Sequence, residues 1–424
     1  MRYFQVLISL LLAISVTGQD MEYARSIVDT LSSPNYDGRG YYNNGERRSA
    51  EFLSKEYDKI GLKSFGDQYF QEFRLTANSI KGDIRLAING KTLTPGTDCL
   101  IDPSAPTYKD NSKIIYLKKE ELLNIDQFKR KIPALANRFV VVDQTLLKDE
   151  KPEVKRQMHE LMLFLKFSRE IRLNGVIEVV EKLTSTASQY TALRPHVVVL
   201  KGKLSKKMSK IELSIENVFD ENYQSQNVIG YVEGQVKDSF VVIVGHYDHL
   251  GRMGDDIYFP GANDNASGIA MILSLAKELA QGEQPKYSVV FICFGAEEIG
   301  LVGSKYYSEN PFFPLSNIKF LLNLDILGTG DDGIQVVNGS VHKDDFNRLV
   351  EINKEKDLLK EVKRRGKACI SDHCFFSEQG VPSFYIYTLG GASHYHDVYD
   401  HAENLTLREY NDLFLLLKEF IVSE

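Results

Sequence analysis

Four short apolar runs in the second half of the chain are each followed at once by residues able to hold a cation or move a proton. Residues 240–244 lead into His246, Asp248 and His249; residues 288–294 lead into Glu297 and Glu298; residues 319–324 lead into Asp325; and residues 383–388 lead into His394, His396, Asp397 and Asp400. A loop reading GANDNASG at 261–268 adds Asp264. Charged groups are depleted from buried strand ends unless something pairs with them. Carboxylates converging on one edge repel one another, and a bound cation compensates that repulsion. Imidazoles with carboxylates and no thiolate suit Zn2+, with Co2+ or Mn2+ as substitutes. Ca2+ would favour oxygen ligands alone. The pattern predicts a metal site.

Bringing these strand ends to one edge sets a demand on the fold. The apolar runs are interleaved with helical patterns at 266–280, 343–354 and 407–421. Strands apolar throughout, alternating with amphipathic helices, predict an α/β fold with a mainly parallel twisted sheet and helices on both faces. In such sheets ligands bind outside the carboxyl ends of the strands, where the candidate residues fall. Two further helices are predicted at 22–31 and 46–60, the second ending at Gly61. Between 81 and 205 the texture changes: strand-like runs at 114–117, 139–142 and 196–200 surround a Lys- and Glu-rich helical stretch near 149–173. This segment reads as a small inserted α/β unit. Its His159 and His196 stand isolated in sequence and read as surface or satisfied core residues.

Composition narrows the function classes. The chain has 424 residues, 43% of them hydrophobic and 26% charged, which excludes a mostly disordered chain and a small disulfide scaffold. A net charge of −7 argues against nucleic acid as a partner. No later window offers the ~18 apolar residues of a transmembrane segment. Residues 6–16 are an apolar run too short to span, preceded by Arg2 and followed by small residues, so 1–18 reads as a signal peptide and the mature protein as secreted or periplasmic. Of four cysteines, Cys293 lies in an apolar run and reads as a buried thiol, Cys99 has no evident partner, and Cys369 and Cys374 are close enough for a local bridge that the sequence leaves open.

Taken in order, these elements resemble the co-catalytic di-zinc aminopeptidases, a family that includes aminopeptidase Y and plasma glutamate carboxypeptidase, with glutaminyl cyclases as more distant relatives. The family's H-x-D stands at His246-Tyr247-Asp248, its G-A-[DN]-D-[DN]-A-S-G at 261–268, and its E-E-x-G-L-x-G-S at 297–304. N-x-D is Asn323-Leu324-Asp325, S-D-H is Ser371-Asp372-His373, and Y-H-x-x-x-D runs from Tyr395 and His396 to Asp400. The opening segment, from LSSPNYDGRG onward, is also similar. The resemblance covers about 22–80 and 206–424. It implies a zinc exopeptidase fold, with a catalytic domain at 19–80 and 206–424. The insert at 81–205 resembles a protease-associated domain only weakly, and is expected to shape access and contribute no ligand.

The resemblance further implies two Zn2+ per chain bridged by Asp264. Glu298 and His396 would complete one site, His246 and Asp325 the other. Glu297 would be the general base, Asp248 would orient His246, and Tyr395 would donate to the oxyanion. His249, His373 and His394 read as structural or peripheral. The family's terminal H-T-P-x-D is here His396-Asp397-Val398-Tyr399-Asp400, a departure expected to add a carboxylate beside the metal. The implied activity is a metallo-aminopeptidase acting on peptide substrates, with dipeptidase and carboxypeptidase specificity left open. Two rivals remain: a glutaminyl-peptide cyclotransferase, whose members usually lack the G-L-x-G-S stretch present here, and a non-catalytic receptor-like relative, which should lack ligands.

Overall fold

A computed structural model of the protein describes residues 20–205, 207–391 and 394–423. The expected signal peptide at 1–18 lies outside the described residues. Among them, no helix is long and apolar enough to cross a membrane.

Helix α1 (Met21–Leu31) buries Ala24, Ile27, Val28 and Leu31 at helical spacing, and the Asp20 carboxylate caps it by accepting from the Tyr23 N–H at 3.0 Å. Helix α2 (Gly45–Ile60) ends at Gly61, whose φ of +84° is the left-handed conformation that glycine adopts without a Cβ clash. Strand β1 (Phe70–Ile88) follows, then β2 (Tyr108–Tyr116), α3 (Ile125–Leu135), β3 (Arg138–Asp143), α4 (Pro152–Phe167), β4 (Gly175–Val180) and β5 (His196–Leu200). The remainder supplies β6 (Lys210–Val232), β7 (Val236–His246), α5 (Gly268–Gln281), β8 (Tyr287–Phe294), β9 (Ile318–Leu324), β10 (Ile334–Val337), β11 (Val362–Arg364), β12 (Ser383–Thr388) and α6 (Tyr410–Val422).

The main path of the sheet runs β11-β10-β12-β9-β7-β8-β6-β2-β3-β4-β5, with the short strand Cys99–Ile101 at the far edge. β12, β9, β7 and β8 are mutually parallel neighbours, and so are β2, β3, β4 and β5. β6 is antiparallel to both β8 and β2 and forms the seam between the two parallel blocks. β1 pairs antiparallel along nearly all of β6 and runs unbroken through position 80. The strands at 108–200 therefore extend the same sheet.

Alternate residues of each central strand enter different cores, as the two-residue period of a strand requires. Val241, Ile243, Val289, Phe291, Phe320 and Leu322 pack with α1, α2, α5 and α6. Val242, Val244, Val290, Ile292, Phe294 and Leu321 pack on the opposite face with Tyr307, Phe313 and Phe376. The insert repeats the scheme, with Val140, Val142 and Val176 against α3 and α4, and Phe139, Val141 and Ile177 against residues of β1 and β6.

His196 is not isolated in space. Its Nδ1 lies 2.9 Å from Asp102 Oδ2 and its Nε2 2.8 Å from Glu178 Oε2, while Lys166 Nζ is 2.8 Å from the same Asp102 oxygen. Burial works against a charged ring there, but Asp102 and Glu178 prevail and lift its pKa to about 9. Cys369 and Cys374 form a disulfide, and Cys99 and Cys293 are buried free thiols.

Candidate functional site

Three parallel strands in near register bring the candidate residues to one edge. Phe294 on β8 pairs with His246 on β7, and Asn323 on β9 with Val244 on β7, so the chain leaves all three strands at nearly the same level. Asp264 lies in the irregular turn Ala262–Ser267 that opens α5, and the Asp264–Asn265 peptide is cis. His396, with φ +53°, comes from the loop after β12.

The structure brings together His246, Asp264, Glu298, Asp325 and His396. His246 Nε2 is 3.3 Å from Asp264 Oδ1 and 3.3 Å from Asp325 Oδ1. His396 Nε2 is 3.1 Å from Asp264 Oδ2 and 3.1 Å from Glu298 Oε2. Each oxygen of Asp264 thus serves a different imidazole, which gives two neighbouring clusters sharing one carboxylate. A tetrahedral Zn2+ with N and O ligands would set them roughly 3.3–3.4 Å apart, close to the spacing found within each cluster. Asp325 Oδ1 is buried without a hydrogen-bond partner. Both histidines turn Nδ1 to a backbone carbonyl, His246 to that of Asp248 at 3.2 Å and His396 to that of Ser185 at 3.1 Å, which leaves Nε2 as the donor atom. The donor set fits zinc.

The electrostatics agree. Burial, with neighbouring carboxylates, raises Asp325 above the usual carboxylate range, and the same causes raise Glu297 well above it. Burial disfavours charge on His396, yet Glu298 and Asp264 raise its pKa to about 11. Negative charge is in excess here, the condition that a cation relieves.

The remaining expected residues fall nearby with varied contacts. Asp248 accepts from the N–H groups of Glu297 and Glu298 at 3.0 and 3.1 Å and from the Tyr41 hydroxyl at 2.7 Å. Its carboxylate stands 3.9 Å from His246 Nδ1, farther than its own carbonyl, so it reaches the turn at 297–298 more directly than the imidazole. The Tyr395 ring stacks on His396 with centroids 3.9 Å apart and is 47% exposed. Asp397 does not join the clusters as a further carboxylate: its Oδ2 is 3.1 Å from Lys182 Nζ and 3.5 Å from His394 Nδ1.

Sequence reasoning does not identify the contacts of several supporting groups. His249, read as peripheral, is buried, and its Nδ1 is 2.6 Å from Glu298 Oε1. The Tyr385 hydroxyl donates to Asp325 Oδ2 at 3.1 Å, and Asp400 accepts from the Asn263 and Asp264 N–H groups at 3.0 and 3.1 Å. Arg39 is wholly buried beneath the site, its guanidinium donating to the carbonyls of Tyr247, Leu31, Pro260, Gly261 and Asp264 at 2.7–3.0 Å. Burial lowers its pKa to about 10, opposed by Asp264, Asp400 and Asp248. Each buried carbonyl left without a partner costs about 1–3 kcal/mol. Arg39→Met should therefore destabilise the metal-free protein by at least about 3 kcal/mol in denaturant unfolding; a loss below about 1 kcal/mol would contradict this role.

Residues 227–421 match the model of Peptidase family M28. Aminopeptidase YwaD of Bacillus subtilis is 38% identical over 113 residues, which are 26% of this chain and 23% of that protein. A probable zinc metalloprotease of Pyrenophora tritici-repentis is 40% identical over 114 residues, 25% of this chain and 23% of its own. The matched stretch thus spans about a quarter of the length of these relatives. Two solved structures share the fold: BSAP, a zinc aminopeptidase from Bacillus subtilis (TM-score 0.70, 19% identity, 95% of this chain and 94% of that one), and a Peptidase M28 precursor from Shewanella amazonensis (TM-score 0.73, 16% identity, 95% and 93%). With 95% of this chain covered, the likeness in fold extends through the insert.

Proposed function

We propose, on the premise that residues 227–421 are a Peptidase family M28 domain, that the protein is a secreted zinc-dependent exopeptidase removing N-terminal residues from peptides. The carrying observation is the pair of His–carboxylate clusters that share Asp264. Asp264 would bridge two zinc ions, with Glu298 and His396 completing one site and His246 and Asp325 the other. When bound, zinc supplies Lewis acidity, acidifying a water and polarising the scissile carbonyl. Glu297 accepts the proton of the attacking water as the new C–O bond forms, then delivers it to the nitrogen as the C–N bond breaks. Asp248, by accepting both backbone N–H groups of the 297–298 turn, fixes where that base points. Burial and the carboxylates of Asp264 and Glu298 keep the Tyr395 hydroxyl protonated, so it remains a donor for the oxyanion. Residues 81–205 act as an inserted unit bordering the site, and 1–18 as the leader for export.

The named activity of the similar Aminopeptidase YwaD supports the N-terminal assignment. A mixed peptide pool digested by the purified protein and read by mass spectrometry tests it. Successive loss of N-terminal residues, with N-acetylated peptides resistant, is the expected outcome. Equal cleavage of acetylated peptides, or shortening from the C-terminus, would overturn it.

A further inference from the structure

The clusters around Asp264 draw support from outside the C-terminal half. Residues 182–191 connect β4 to β5 in the insert and lie against both of the turns that bring Glu298 and His396 to the site. The Ser185 N–H donates to the His396 carbonyl at 2.8 Å, and His396 Nδ1 lies 3.1 Å from the Ser185 carbonyl. Lys182 Nζ is 3.1 Å from Asp397, the next residue along. Gln189 Nε2 donates to the carbonyl of Ile299, directly after Glu298, at 2.8 Å. The connection is itself anchored on β1, where the Asn78 N–H donates to the Ser188 carbonyl at 2.8 Å and Thr76 Oγ1 to the Gln189 carbonyl at 3.0 Å.

These contacts have chemical consequences. An imidazole nitrogen facing a carbonyl carries the proton, so the Ser185 carbonyl leaves the lone pair of His396 on Nε2, the atom directed at Asp264 and Glu298. The φ of +53° at His396 is left-handed, a conformation unfavourable to a residue that carries a side chain. One backbone bond, from the Ser185 N–H, and one ring contact, to the Ser185 carbonyl, offset that cost. His246 differs, because its Nδ1 partner is the carbonyl of Asp248, two residues along its own strand exit.

We propose that residues 182–191 are a positioning element of the metal centre, with Ser185 setting the tautomer and direction of His396 and with Lys182 and Gln189 fixing the flanking turns. The insert contributes no ligand atom, yet the Glu298–His396 site depends on it and the His246–Asp325 site does not. This rests on the zinc reading above.

Two variants of the full chain test it. Ser185→Pro deletes the N–H that holds the His396 carbonyl, and Lys182→Ala/Gln189→Ala cuts the side-chain ties without touching the backbone. Zinc is titrated into each metal-free protein against a chromophoric chelator, beside the wild type and His396→Ala. Circular dichroism checks folding, and the double variant decides if Ser185→Pro does not fold. The expected result is a 10–100-fold loss in the one affinity that His396→Ala removes, with the other unchanged. Both affinities unchanged in a folded variant, or both weakened equally, would overturn the proposal. A wild type that binds no zinc would overturn the zinc reading instead.

Discussion

Glu297→Gln should lower kcat by ~10²–10⁴-fold while zinc content stays at the wild-type level, and Glu298→Gln should lose zinc from one site. The two carboxylates are adjacent in sequence but differently held. Glu298 has one oxygen 3.1 Å from His396 Nε2 and the other 2.6 Å from His249 Nδ1, so it is fixed by two imidazoles in the position of a ligand. Burial raises the pKa of Glu297 first, His246 opposes it, and Asp372 and Glu298 raise it further. The amide in Glu297→Gln keeps shape and hydrogen bonding but removes basicity, so the loss should fall on turnover. The replacement in Glu298→Gln removes a charge that the clusters use. Zinc stoichiometry measured beside kcat for both variants decides the matter. Zinc lost from Glu297→Gln but kept by Glu298→Gln would reverse the roles.

The residues brought together were legible because each is defined by side-chain chemistry and sits just after a recognisable apolar strand. Strand identity fixed which end of the sheet they reach, and the order of motifs fixed their grouping. What supports them left weaker traces. Ser185 acts through its backbone, so nothing in the identity of a serine announces it. Arg39 looks like one more surface cation until the fold wraps five carbonyls around it. His249 reads as an adjunct to the His246 motif because its partner, Glu298, is brought close only by the folded turn. The long pair β1 and β6 leaves a faint trace in the sequence because several of its buried positions carry polar residues, Gln71, Asn78, Ser225, Gln226 and Asn227 among them, so hydrophobicity does not follow the two-residue burial period. Sequence proximity to His396 suggests a place for Asp397 beside the metal, but the insert supplies Lys182 to pair with it.

The cysteines illustrate the same limit. Spacing allowed Cys369 and Cys374 to meet without requiring it, and the turn around Ser371-Asp372-His373 brings them together. His196 needed Asp102 and Glu178, which lie on other strands or their exits, before its burial made sense. In each case the sequence identified a residue and the fold identified its partner.

Metal content tests the di-zinc reading most directly. Elemental analysis of the purified full chain should return two zinc ions per chain. Chelation should abolish peptide hydrolysis, and added zinc should restore it, because Asp264 ties both clusters to the same chemistry. Hydrolysis by a protein that holds no transition metal and is indifferent to chelator would contradict it.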